Sequence, residues 1–65
     1  MLTVNGKEIE YDSSMQLTDL LDDLEVSNQL CAVEVNSTLV PHHDRDNYTL
    51  GDGDIIEIVT LVGGG

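Results

Sequence analysis

The stretch IIEIVTLV, residues 55–62, is the longest β-prone run in the chain. It is apolar on nearly both faces. That is the pattern of a strand inside a sheet rather than one at a solvated edge. If Ile56 and Ile58 turn toward a helix, the period of two sends Ile55, Val59 and Leu61 to the opposite face. The segment Leu50-Gly51-Asp52-Gly53-Asp54 leads into it as a tight turn, because Gly and Asp tolerate unusual backbone angles.

Working back from that strand, Cys31-Ala32-Val33-Glu34-Val35-Asn36 alternates, with Cys31, Val33 and Val35 on one side. Leu39-Val40 is a short extended piece stopped by Pro41, which has no N–H for a central ladder. His42 to Tyr48 reads as polar and irregular. Near the start, Asn5-Gly6 separates Leu2-Thr3-Val4 from Glu8-Ile9-Glu10-Tyr11. An Asn-Gly pair between two short strand-like runs predicts a hairpin, because a type I′ turn needs positive φ twice. Leu2 and Val4 then share a face with Ile9 and Tyr11.

Between hairpin and strand lies SSMQLTDLLDDLEV, residues 13–26. Leu17, Leu20, Leu21 and Leu24 form one helical stripe, and Ser13 to Gln16 has capping-box spacing, which predicts a helix over about residues 15–25. Asp19 suits an early position on the helix dipole. Asp22, Asp23 and Glu25 stand at its unfavourable end. Helix stability therefore does not account for these acids, which form either a solvated face or a docking face.

The order is hairpin, helix, strand, short strand, long strand. It predicts an α+β fold: a mixed sheet of four to five strands with one helix packed on one face. Ubiquitin-like β-grasp domains have this order. Residues 1–62 form that domain and residues 63–65 a flexible C-terminal glycine tail.

The 65-residue length permits one small core and no deep substrate pocket. Lys7 and Arg45 oppose 13 acids, for a net charge of −11. Such a polyanion is repelled by phosphate backbones and anionic lipid, so nucleic-acid and membrane partners are disfavoured. The same field either favours fast, salt-sensitive docking on basic protein surfaces or serves solubility or a salt-adapted source. No run is apolar enough to span a bilayer and no signal segment is evident, so the expected location is cytoplasmic.

Motifs for catalysis are absent. His42 and His43 are adjacent, and neighbours in an extended or looped chain diverge. Asp44-Arg45-Asp46-Asn47 begins like a calcium loop but has Tyr48 and Thr49 where a ligand and the required Gly belong. No metal site is expected. Cys31 is the single cysteine, in phase with Val33 and Val35 and with no base or cation nearby in the sequence, so it reads as a buried small hydrophobe. The chain contains no nucleophile-elbow, phosphate-loop or dinucleotide fingerprint, so an enzyme in its own right is not expected.

What remains is Gly63-Gly64-Gly65. Three glycines extend about 10 Å. Lacking Cβ atoms, they can thread a channel too narrow for other residues. Their one reactive group is the Gly65 α-carboxylate, a poor electrophile until activated, for example as an acyl-adenylate. Ordering such a tail costs roughly 1–2 kcal/mol per residue, so the body must supply affinity. An apolar patch around Val59 and Leu61, ringed by acids, is expected either as a docking surface, with Val62, Gly63 and Gly64 following it into the partner, or as a face covered in a homo-oligomer.

The segments VEVNSTLVP (33–41), LGDGDIIEIV (50–59) and LVGGG (61–65) occur in order with the Asn-Gly hairpin and the Leu-rich helix. Together they resemble ThiS-type sulfur carrier proteins of thiamine biosynthesis, small β-grasp proteins ending in Gly-Gly. The resemblance covers the whole chain. It departs from the family pattern after Val40-Pro41, where His42 and His43 stand. The resemblance implies that a ThiF-type adenylyltransferase uses ATP and Mg²⁺ to adenylate Gly65. A sulfur-relay enzyme then supplies sulfur for a thiocarboxylate, and a ThiG-type thiazole synthase accepts it. The chain would be a cosubstrate that binds no cofactor stably. A molybdopterin-synthase small subunit (MoaD type) is a weaker resemblance in the same chemical class. A ubiquitin-like protein modifier and a plain interaction module with an idle tail are the alternatives from other classes.

Overall fold

A computed structural model describes residues 1–26 and 31–60. Strands β1 (Leu2–Val4) and β2 (Lys7–Ile9) form the hairpin, with Leu2 opposite Ile9 and Val4 opposite Lys7. Asn5 and Gly6 both adopt positive φ, at 50° and 84°, as the Asn-Gly reading requires. Helix α1 (Leu17–Asp23) follows, then β3 (Cys31–Val35) and β4 (Thr38–Leu39). A 3-10 helix over His42–Asn47 replaces the irregular loop expected there, and β5 (Ile55–Thr60) closes the sheet.

The strand order is β2-β1-β5-β3-β4, so β5 is central. It runs parallel to β1, with Val4 opposite Ile56, and antiparallel to β3, with Val33 opposite Ile58 and Cys31 opposite Thr60. One face of this five-stranded mixed sheet is covered. Leu2, Val4, Cys31, Val33, Val35, Ile56 and Ile58 are buried there with Leu17, Leu20 and Leu21 of α1. Val40 and Leu50 complete the core, and Ile9 and Tyr11 pack at its margin. Tyr11 keeps its hydroxyl satisfied by donating to the Leu50 carbonyl at 3.0 Å.

The helix is shorter than the leucine stripe predicts. Met15 and Gln16 are drawn into pairing instead. The Leu17 N–H donates to Tyr48 O, the Leu50 N–H donates to Met15 O, and Gln16 bridges Thr49. Helix capping therefore shifts from Ser13 to Gln16, whose N–H donates to Asp19 Oδ2 at 2.9 Å. Upstream, Asp12 accepts from the Ser14 N–H and hydroxyl at 3.0 and 2.9 Å. Those bonds, the backbone one first, hold the Asp12 carboxyl below its usual 3.8.

At the other end Leu24 caps the helix and is 41% exposed rather than a fourth core leucine. Glu25 takes φ 60° in the position where Gly is usual. The Glu25 N–H donates to Asp22 O and the Val26 N–H to Leu21 O, which is the Schellman pattern. The left-handed conformation strains Glu25, and the last turn holds Asp22 and Asp23 with no basic residue.

Two measurements check these assignments. Glu25→Gly is expected to stabilise the fold by about 1 kcal/mol, from relief of left-handed strain and removal of one acid at the dipole's negative end; a lower urea midpoint would contradict the cap assignment. A carboxyl NMR titration is expected to place Asp12 below 3.8 in the wild type and closer to 3.8 in Ser14→Ala. Because the folded value is the lower one, the stabilisation from Asp12 is present above the unfolded value and lost as pH falls through the folded value.

Candidate functional site

The alternation of β5 divides its side chains between two surfaces. Ile56 and Ile58 enter the core, while Ile55 and Val59 are 50% and 59% exposed on the open face. Cross-strand pairing builds the rest of that face. Ala32 lies opposite Val59, Glu34 opposite both Glu57 and Leu39, and Thr3 opposite Ile55 and Glu8. Leu39 is 59% exposed. The result is a face on which exposed Ile55, Val59 and Leu39 surround the Glu34–Glu57 pair, with Glu8 beyond Thr3.

Val59 is exposed on this face, opposite Ala32 and two positions after Glu57. Leu61, Val62, Gly63, Gly64 and Gly65 lie outside the described residues. They follow Thr60, the last residue of β5, which pairs with Cys31 at the start of β3.

Glu34 and Glu57 face each other directly across β3 and β5. Like charges in that relation oppose sheet formation. The pair sets two carboxylates among the exposed apolar side chains of this face.

Two polar groups have roles that the sequence does not announce. Arg45 is only 7% exposed. Its Nη2 donates to the Cys31 carbonyl at 2.7 Å and Nη1 lies 3.5 Å from Cys31 Sγ. Cys31 is buried in the core as expected, but a cation does lie beside it, brought by the 3-10 helix from 14 positions away. No local pattern could reveal this. The one signal in the sequence is an arginine alone among acids in a short polar segment. Asn5 is the second such group: its side chain accepts from Ile58 N–H at 2.7 Å and donates to Ile58 O at 3.1 Å.

His42 and His43 do not converge with other ligands. His43 Nε2 lies 3.5 Å from Asp44 Oδ1, both largely exposed. Among the described residues, no three His, Cys, Asp or Glu side chains are grouped to hold a metal ion. No helix of the described residues is long and apolar enough to cross a membrane.

Comparison with known proteins decides among sheet proteins of this shape. The family model for the ThiS family matches residues 2–65. This chain belongs to the ThiS family. Among ThiS relatives, the sulfur carrier protein ThiS of Bacillus subtilis (strain 168) is 35% identical over 66 residues, covering 100% of both chains. The crystal structure of the thiamine biosynthesis protein ThiS from Geobacter metallireducens superimposes with a TM-score of 0.77 at 36% identity, covering 98% of this chain and 97% of that one. That match identifies the five-stranded sheet and its helix as the β-grasp fold of ThiS. A thiazole synthase of Paramagnetospirillum magneticum is 39% identical over 64 residues, and this chain spans 20% of its length.

The glutamate pair offers a direct check on the open face. Glu34→Gln is expected to raise stability by about 0.5 kcal/mol by removing the cross-strand repulsion. An unchanged or lower urea midpoint would mean that the pair is not repulsive.

Proposed function

We propose that this chain is a sulfur carrier of thiamine biosynthesis and not itself a catalyst. The observation that carries this reading is the match to the ThiS family over residues 2–65. The full-length likeness to a chain named as a sulfur carrier supports it. The reactive group is the α-carboxylate of Gly65. A ThiF-type adenylyltransferase, using ATP and Mg²⁺, joins it to AMP and releases pyrophosphate. A sulfide equivalent from a sulfur-relay enzyme then displaces AMP, leaving a thiocarboxylate in which one carboxyl oxygen has been replaced. A ThiG-type thiazole synthase accepts that sulfur, and the carboxylate is regenerated. The likeness to one fifth of a chain named thiazole synthase favours that acceptor. All of this would take place in the cytoplasm.

The body supplies what the glycines lack. A tail without side chains contributes little contact area and pays an ordering cost, so affinity must come from elsewhere. The open face has the chemistry to provide it, with exposed Ile55, Val59 and Leu39 around the Glu34–Glu57 pair, whose carboxylates draw a basic partner surface. Leu61 and Val62 would extend this face toward the partner. Gly63 and Gly64 would pass through its channel.

The test is direct. The protein is incubated with its activating enzyme, ATP and a sulfur source, and its intact mass is taken. Exchange of one oxygen for one sulfur at Gly65 is expected, and deletion of Gly65 or addition of one residue after it is expected to abolish the exchange without unfolding the body. No adenylate and no exchange with an active enzyme would sink the reading. Adducts to lysines in cells would favour a protein modifier instead.

A further inference from the structure

Strand β1 ends at Val4, where the Asn5-Gly6 turn takes the chain away to β2, but β5 continues for four residues past Ile56, the residue opposite Val4. On the β1 side, the last main-chain rung is the Asn5 N–H, which donates to Ile56 O at 2.9 Å. The next groups on that edge are the N–H and carbonyl of Ile58. No strand residue of β1 reaches them. The Asn5 side chain does: Oδ1 accepts from the Ile58 N–H at 2.7 Å and Nδ2 donates to the Ile58 carbonyl at 3.1 Å. A primary amide carries the same donor and acceptor as a peptide unit. Asn5 thus serves two successive rungs, one with its backbone and one with its side chain. It joins positions 53 residues apart in the chain.

The other edge of the same segment is held as well. Thr60 pairs with Cys31, and the Cys31 carbonyl accepts from the buried Arg45. The end of β5 is therefore fixed between two polar anchors. Beyond Thr60 lie the five residues that finish in Gly65.

We infer that Asn5 is a positioning residue: its side-chain amide clamps Ile58 and so fixes the direction in which β5 delivers the segment after Thr60. The functional half of this inference rests on the sulfur-carrier reading. A tail that must enter another protein's active site starts from a defined origin and heading only if the strand before it is held. A displacement of about 1 Å at a reacting centre costs roughly 100-fold in rate. The turn alone does not require this side chain, since Gly-Gly serves a type I′ turn equally well. Asn is the residue that satisfies the positive φ of 50° and reaches Ile58 together.

That separation of roles supplies the variants. Asn5→Gly keeps the turn and removes the clamp. Asn5→Asp keeps the shape and the acceptor but sets a carboxylate oxygen against the Ile58 carbonyl. In ¹⁵N-labelled protein, Asn5→Gly is expected to speed exchange of the Ile58 N–H by about tenfold or more, with Val33 and Leu20 little changed. Backbone order parameters at Val59 and Thr60 are expected to fall from about 0.85 toward 0.6. Asn5→Asp is expected to fall between wild type and Asn5→Gly.

In the sulfur-transfer assay, Asn5→Gly is expected to lower kcat roughly tenfold with a smaller change in the Kd for the activating enzyme, because Val59 loosens while Ile55, Leu39 and the glutamates of the docking face stay in place. Wild-type exchange and order at residues 58–60 in Asn5→Gly would overturn the clamp. So would Asn5→Asp behaving as wild type, which would leave the bond to the Ile58 carbonyl without effect. Lost order with unchanged kcat would overturn the positioning role. If the wild type takes up no sulfur, it is the carrier reading that fails, and exchange and order parameters alone then decide the clamp. Should Asn5→Gly not fold, Asn5→Asp decides by the same readouts.

Discussion

Everything in this fold leans on the pairing of β5 along both of its edges. Ile56 and Ile58 are buried because β1 and β3 flank the strand that carries them and α1 covers that face. Two aliphatic side chains fully removed from water contribute roughly 3–6 kcal/mol together. That is comparable to the whole net stability of a domain this small. The open face is the other half of the same fact. A strand with period two cannot bury both sets of side chains when only one layer of helix is present, so Ile55 and Val59 are left in solvent.

The open face is built against its own stability. Glu34 opposite Glu57 costs pairing energy, and exposed Ile55, Val59 and Leu39 gain nothing from water.

The elements that were legible in the sequence are those with local causes. The positive φ demanded by Asn5-Gly6 announced the hairpin. The alternation of Cys31, Val33 and Val35, and of Ile56 against Ile55, announced which face each residue joins. The first turns of the leucine stripe were legible for the same reason. What escaped has non-local causes. The helix begins at Leu17 because Met15 and Leu17 share hydrogen bonds with Leu50 and Tyr48, more than thirty positions away. Arg45 is buried because Cys31 offers it a carbonyl across the fold. The Asn5 side chain finds Ile58 only once β1 and β5 lie side by side. Hydrogen bonds of this kind follow no period, and no window of sequence contains both partners.

The parallel pairing of β1 with β5 has a consequence for how the fold is reached. Thr3 and Ile55 are partners, so the centre of the sheet joins the beginning of the chain to its last described strand. Closing a loop of that length costs about 3–4 kcal/mol in chain entropy before any core residue is buried. The hairpin and helix are local and form early on that account, but the layer they pack against is missing until β5 arrives. A chain that stops before Ile55 lacks the middle of its own sheet.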